Sequence, residues 1–222
     1  MHSLLYLPII LLILTVFFLI RAEYRKNKLH ISIFKPALTI LVIAVVVTAM
    51  LSGDQMSPAY SVFILLALLF SLGGDIALIF QENQKAFRLG LLLFLITHII
   101  YASAFVRFSG LAVASLAGTV TLAVLAAVVY MVLYPQLGSL KIPVLIYILI
   151  ISYMLNRAIA THISPVFSSL QAWRISIGAA LFYLSDLMLA LNRFGYPFKS
   201  NRLSLVLYYG GQLGIALSTF GQ

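Results

Sequence analysis

The sequence contains no cysteine, and that absence excludes several kinds of chemistry. A chain without cysteine has no disulfide framework, no thiolate nucleophile and no zinc site built on thiolates. The absence says little about the redox compartment in which the protein works.

Charged residues are also scarce, and most of those present are basic. They account for 9% of the 222 residues, with five acidic side chains against 14 lysines and arginines, while 63% of the residues are hydrophobic. The mean hydropathy is +1.12. Soluble domains carry charge on about a quarter of their residues. The composition therefore predicts an integral membrane protein that crosses the bilayer several times.

The formal net charge of +9 is a second unusual feature of the composition. In a soluble protein this charge would favour nucleic acid as a partner, but here the basic residues lie in short gaps between apolar runs and form no continuous stripe. We therefore expect no nucleic-acid partner. We expect the basic side chains to contact anionic lipid and to set the orientation of the chain in the bilayer.

Eight apolar runs are long enough to cross a hydrocarbon core of about 30 Å as helices. Prolines lie almost entirely at the starts of these runs or between them, where a missing backbone N–H does not break a helix. The sequence predicts an all-α fold, in which residues 1–222 form a single integral-membrane domain, a bundle of eight transmembrane helices. The predicted spans are residues 4–20, 36–52, 58–80, 88–106, 111–134, 142–161, 172–192 and 203–220.

Lysine and arginine are distributed unevenly between the gaps. One set of alternating gaps holds eleven of the 14, and the other set holds Arg107, Arg157 and Arg174. Because basic loops face the cytoplasm, this distribution predicts that both termini lie outside. We expect the plasma membrane as the host membrane in a bacterium, and the endoplasmic reticulum in a eukaryote.

Two of the five acidic residues lie inside apolar runs. Asp75 occurs in LLFSLGGDIALIF and Asp186 in LFYLSDLMLAL. Each lies five or six residues before the cytoplasmic end of its span, or roughly 8 Å deep. Since an ionised carboxyl facing lipid is costly, we expect both to face the bundle interior. Their equivalent positions in the third and seventh spans predict a weak parallel repeat of four helices plus four.

Other polar residues lie near the level of the two aspartates. His98 and Tyr101 share one helix face, Tyr208 and Gln212 share another, and Tyr183 lies one turn before Asp186. A buried polar residue of this kind often only forms a hydrogen bond between helices, and the same purely structural interpretation applies to a lone aspartate. Their convergence at one level is what indicates a site.

Five short motifs then occur in a fixed order. They are FKP at 34–36, SLGGD at 71–75, THIIY at 97–101, LSDLMLALNRF at 184–194 and YYGGQ at 208–212. In this order the chain, from about residue 34 onward, resembles the YhhN/TMEM86 family of integral-membrane lysoplasmalogenases. The resemblance implies an eight-helix hydrolase that cleaves the vinyl ether of a lysoplasmalogen. The products would be a fatty aldehyde and glycerophosphoethanolamine or glycerophosphocholine.

The resemblance also implies which residues form the site. Asp75 and Asp186 match the acidic positions of two family motifs, and Asp186 matches a position at which family members are not uniform. Neighbouring motif positions, which we expect to bind substrate, are matched by His98, Tyr101, Asn192, Arg193, Tyr208 and Gln212. Lys35 lies in the FKP motif, and we expect Tyr183 to line the same site.

The chemistry of a vinyl ether independently calls for an acid and an anion. Protonation of the β-carbon gives an oxocarbenium ion, water captures it as a hemiacetal, and the hemiacetal collapses to aldehyde and alcohol. Two carboxyls in one low-dielectric site share a proton, so that one acts as acid and the other as base. Which aspartate takes which role stays open at this point. The mechanism needs no cofactor and no metal. One histidine and two aspartates would also be few ligands for a metal ion.

The expected partners are a lysophospholipid substrate and the lipid bilayer. The phosphate of the substrate would lie near the cytoplasmic edge of the bilayer, with the ether a few ångströms deeper. The candidate phosphate contacts are Lys35, Arg88, Arg193, Lys199 and Arg202. Two alternatives use the same carboxylates, a proton-coupled transporter and an intramembrane aspartyl protease. The near-absence of proline inside the spans and the ordered motifs favour the lipid hydrolase.

Overall fold

A computed structural model describes residues 3–111, 116–195 and 202–221, and within these ranges the chain forms eight α-helices, which confirms the predicted all-α fold. Short 3₁₀ turns precede and follow α6. The helices are α1 (Ser3–Tyr24), α2 (Lys28–Ser52), α3 (Pro58–Ile79), α4 (Gln84–Ser109), α5 (Leu116–Leu133), α6 (Lys141–Ala160), α7 (Ser169–Phe194) and α8 (Arg202–Leu217). Seven of these described helices are long and apolar enough to cross a membrane, so the chain is a multi-pass membrane protein.

The helix that falls below this length, α8, has 16 residues and is shorter than the run 203–220 had indicated. It ends at Leu217 because the next residues turn, and Phe220 then pairs with Gln55 in an isolated β-bridge. Gln171 at the start of α7 donates to the carbonyl of Phe220 at 2.7 Å. The Gln171 contact holds the end of α8 beside the start of α7, so these two helices lie antiparallel.

Local sequence fixes several helix ends. The side chain of Asn27 accepts a hydrogen bond from the first turn of α2, and Asn83 does the same for α4. Ser168 opens α7 with a capping box, and Pro58 occupies the first position of α3. Gly53 ends α2 in the left-handed region, with φ of 73°. These short connections make consecutive helices antiparallel neighbours.

One end of the bundle gathers many of the basic side chains, and we term it the basic end. Contacts between loops and helix termini define it. They are the ion pair of Lys28 with Glu82 (3.0 Å), the hydrogen bond from Arg88 to Ser139 (3.1 Å), and the guanidinium groups of Arg193 and Arg202 over the rings of Phe87 and Tyr24 (4.7 Å each).

Six helices form a closed ring in the order α2, α3, α4, α6, α7 and α8, with α8 returning to α2. Outside the ring, α1 packs on α2 and α5 packs on α6. If each of the first four helices is matched with the helix four places later, the main pattern of neighbours is the same in both halves. The contact between α4 and α6, for example, corresponds to the contact between α8 and α2. The arrangement is that of the predicted four-plus-four repeat.

Glycines allow a close helix contact in the ring, between α7 and α8. A Cβ atom built on Gly178 would lie 2.7 Å from the carbonyl oxygen of Gly211, and one built on Gly211 would lie 2.7 Å from that of Gly178. In the corresponding pair of the other half, a Cβ on Gly74 of α3 would lie 2.7 Å from the ring of Phe94 on α4. Small residues at these positions hold the site-bearing helices together.

Candidate active site

Asp75 lies on the inner face of α3 and is 1% exposed. Its Oδ2 accepts hydrogen bonds from Thr39 Oγ1 at 2.5 Å and from Tyr208 OH at 2.8 Å, and its Oδ1 lies 3.8 Å from Lys35 Nζ. Two hydroxyl donors and a cation therefore converge on this carboxyl from α2 and α8. Such charge-assisted contacts stabilise a negative charge at a buried position.

A second layer of hydrogen bonds fixes the hydroxyl of Tyr208. It lies 2.8 Å from Ser71 Oγ and accepts a hydrogen bond from Gln212 Nε2 at 2.8 Å. Gln212 Nε2 also donates to Ser71. Tyr208 and Gln212 share a face of α8, as their spacing predicted. The hydrogen bonds of the Tyr208 hydroxyl with Gln212 and Ser71 orient it toward Asp75.

Asp186 lies on α7 and has a different set of partners. Tyr147 OH donates to its Oδ2 at 2.5 Å, and His98 Nε2 lies 3.5 Å from the same oxygen. The His98 ring is buried, with Phe182 at a centroid distance of 4.8 Å, and neither ring nitrogen has a hydrogen-bond partner among the described residues. Side chains from α6 and α4 therefore approach the same oxygen of Asp186.

The surroundings of the two carboxyls correspond under the repeat. Each accepts a hydrogen bond from a hydroxyl on the preceding ring helix, and each faces a side chain from the last helix of the opposite half. The corresponding residues are Thr39 and Tyr147, Asp75 and Asp186, and Tyr208 and His98. The members of each pair are about 110 positions apart in the chain, which is the offset that a repeat requires.

Both aspartates line one polar cavity. Lys35 and Glu23 also line it, and Gln81 lies on its wall at the basic end. The cavity therefore runs from the level of the carboxyls toward the basic end. In the described structure no hydrogen bond joins the two carboxyls to each other, and the cavity is the space that they share.

A second, apolar cavity adjoins the first at Asp186. It lies between α4, α6 and α7, and its lining includes Tyr147, Tyr183 and Arg193. Leu78, Phe94, Asp186 and Leu189 line both cavities. Asp186 therefore lies at the junction of a polar and an apolar compartment.

The sequence-predicted residues divide into three groups. Six line one or both cavities, two lie outside the cavities and contact a carboxyl or its partner, and the other two also lie outside the cavities. The first group is Asp75, Asp186, Lys35, Tyr183, Arg193 and Tyr208. The second is His98 and Gln212, and the third is Tyr101 and Asn192.

The predicted phosphate contacts are similarly divided. Lys35 lies on the polar cavity and Arg193 on the apolar one. Arg88 donates to Ser139, and Arg202 stacks on Tyr24. Lys199 lies outside the described residues.

Three residues of the site carried no signal that sequence reasoning used, and they are Thr39, Tyr147 and Glu23. Ser71 begins the SLGGD motif, but its hydrogen bond with Tyr208 was not predicted. A threonine or tyrosine inside an apolar run is common, so neither residue by itself indicates a functional site. The repeat offset of about 110 is the signal that pairs Thr39 with Tyr147.

Comparison with known proteins adds an independent finding. Residues 30–219 match the model of a family described as the YhhN family. The chain is 38% identical over 166 residues to a Bos taurus protein named lysoplasmalogenase TMEM86A, and 37% identical over 158 residues to the Homo sapiens protein of the same name. Both matches cover 70% of this chain, which spans about 64% of the length of these curated relatives. No solved structure matches the chain.

Proposed function

This chain belongs to the YhhN family, and from that premise we propose that it hydrolyses the vinyl ether bond of lysoplasmalogens. The products are a fatty aldehyde and glycerophosphoethanolamine or glycerophosphocholine. The observation that carries the proposal is the position of Asp186, which shares a polar cavity with Asp75 and borders an apolar cavity as well. The names of the two relatives support the same reaction.

The two cavities match the two ends of a lysolipid. The glycerophosphate part needs polar walls and a cation, and the polar cavity has Lys35. The single alkenyl chain needs an apolar slot, and the cavity between α4, α6 and α7 is lined almost entirely by apolar side chains. A substrate that occupies both places its vinyl ether at their junction, beside Asp186.

Asp186 is the proton donor in this proposal. Tyr147 engages Oδ2, so Oδ1 carries the proton that is transferred. The β-carbon lies on the apolar side of the ether, which is the side that Asp186 shares with the alkenyl chain. Transfer of the proton forms the new C–H bond and leaves an oxocarbenium ion between the two carboxylates.

Asp75 is the base. Lys35, Thr39 and Tyr208 stabilise its negative charge, which in turn stabilises the oxocarbenium ion. Water adds to the α-carbon as Asp75 takes one of its protons, giving the hemiacetal. Asp75 then returns that proton to the departing glycerol oxygen, while Asp186 takes the proton of the hemiacetal hydroxyl. The aldehyde is released and both carboxyls are restored to their starting states.

The proposed function is tested by giving the purified protein a 1-alkenyl lysophospholipid and measuring aldehyde release. An ester-linked lysophospholipid of the same chain length and headgroup is the matched control substrate. We expect aldehyde from the alkenyl lipid and no hydrolysis of the ester. Absence of aldehyde at saturating substrate, from protein that is folded and membrane-inserted, would contradict the proposal.

A further inference from the structure

The wall of the polar cavity at the basic end contains a carboxylate that the proposed reaction does not use. Glu23, the next-to-last residue of α1, lines this cavity together with Lys35 and Gln81. The side chain is half-buried. It lies before residues 30–219, so the family match says nothing about its role.

Glu23 forms no ion pair or hydrogen bond within the described part of the chain, whereas Glu82, another acidic residue at this end, is paired with Lys28. The polar cavity thus presents one unpaired carboxylate, with the cation Lys35 on the same wall. A positive and a negative group that line one cavity complement a zwitterion. The phosphate of a lysolipid fits Lys35, and the group attached to it fits Glu23.

We propose that Glu23 binds the ammonium group of a phosphoethanolamine headgroup and makes the protein select ethanolamine over choline lipids. This inference rests on the proposed function for the identity of the lipid. A primary ammonium donates hydrogen bonds to a carboxylate, and a quaternary ammonium has no N–H to donate. Quaternary ammonium groups are normally held by aromatic rings.

The aromatic rings of the polar cavity are not placed to form such a cage beside Glu23. They belong to Phe94 and Tyr208, whose centroids lie 5.8 Å apart. The Tyr208 hydroxyl is hydrogen-bonded to Asp75, so this ring pair lies at the carboxyl end of the cavity. Among the lining residues at this end, Glu23 is the group that can hold an ammonium, and a carboxylate favours ethanolamine.

The test is direct binding of lysolipids that the protein has no means to hydrolyse. Saturated 1-O-alkyl analogues with phosphoethanolamine, phosphocholine or bare phosphate headgroups are titrated into the full chain in detergent, and Kd is measured for each. We expect Glu23→Gln to weaken binding of the ethanolamine analogue about tenfold, the size of one charged hydrogen bond, without weakening that of the bare phosphate. Glu82→Gln is the matched control and should leave all three unchanged.

Glu23→Asp, which keeps the charge on a shorter side chain, should retain the ethanolamine preference in part. Unchanged preference in Glu23→Gln would overturn the inference, and so would a wild-type protein that binds none of the analogues. Because the analogues carry no vinyl ether, the result is independent of aldehyde release. A protein that binds them selectively but produces no aldehyde would contradict the proposed reaction alone.

Discussion

Asp186 and Asp75 are both buried carboxyls, and it is their neighbours that distinguish them. Asp75 has Lys35 and two hydroxyl donors, whereas Asp186 has one hydroxyl donor and borders an apolar cavity. In the proposed reaction the first set stabilises the negative charge of the base. The second suits the group that is proposed to deliver a proton to carbon.

Replacing Asp186 by Asn should stop proton transfer while leaving the fold intact, because the amide has the same shape and no acidic proton. We expect kcat for aldehyde release to fall by about 100-fold or more. In the wild-type protein, pre-steady-state aldehyde formation should be slower in heavy water than in ordinary water. Near-normal turnover by the folded variant would contradict the assignment of Asp186 as the acid.

In the proposed reaction Tyr147 positions Asp186. Removing its hydroxyl in Tyr147→Phe should lower kcat by about tenfold with a smaller effect on KM, because the carboxyl loses the bond that fixes which oxygen carries the proton. Tyr130→Phe is the matched control. Tyr130 lies on the outer helix α5, and its hydroxyl donates a hydrogen bond to the backbone carbonyl of Lys141 at 3.4 Å. Equal losses in both variants would indicate a purely structural effect.

At this scale the sequence predicted the two carboxyls and several neighbours, including the donor Tyr208, and it missed the donors Thr39 and Tyr147. An aspartate stands out in an apolar run because its burial is costly there. Thr39 and Tyr147 do not stand out, because either residue is tolerated on many faces of a membrane helix. Their roles depend on how α2 meets α3 and how α6 meets α7, and that information is tertiary.

At the scale of helices, the contact between α7 and α8 joins the two carboxyl environments, since α7 bears Asp186 and α8 bears Tyr208. Gly178→Ala should separate these helices, because the new methyl group would lie 2.7 Å from a backbone oxygen. We expect a loss of about 1–3 kcal/mol in the free energy of unfolding, seen as a lower Tm in detergent.

The control for that variant is Gly210→Ala, one residue from Gly211 on the same helix. Its added methyl group would meet only the Leu181 side chain, at the ordinary distance of 3.6 Å. We expect its Tm and activity to stay close to wild type. If Gly178→Ala were equally well tolerated, the close approach of the two helices would not be a requirement of the fold.

Hydropathy predicted the cores of the helices better than their ends. The second apolar run begins at residue 36, yet α2 begins at Lys28, because a helix continues into polar residues where Asn27 caps it. The eighth run ends at residue 220, yet α8 ends at Leu217. Apolar length reports how much chain is in contact with lipid, whereas caps and turns decide where a helix stops.

For the whole molecule, the uneven distribution of lysine and arginine predicts that the basic end faces the cytoplasm. The absence of cysteine makes this testable with single introduced cysteines. Leu111→Cys, at the end opposite the basic end and 71% exposed, should react with an impermeant maleimide added to intact cells. Glu82→Cys, at the basic end, should react only after the membrane is opened, and the reverse pattern would contradict this orientation.

The ring of six helices has a consequence for the proposed chemistry. Two identical four-helix units would have placed two equivalent carboxyls against one another, each with the same donor and the same neighbour from the opposite unit. In this chain Lys35 lies beside the carboxyl of one half, and the carboxyl of the other half adjoins an apolar slot. The proposed division into acid and base depends on this difference between the halves, because two identical halves would offer an asymmetric lipid two equivalent carboxyls.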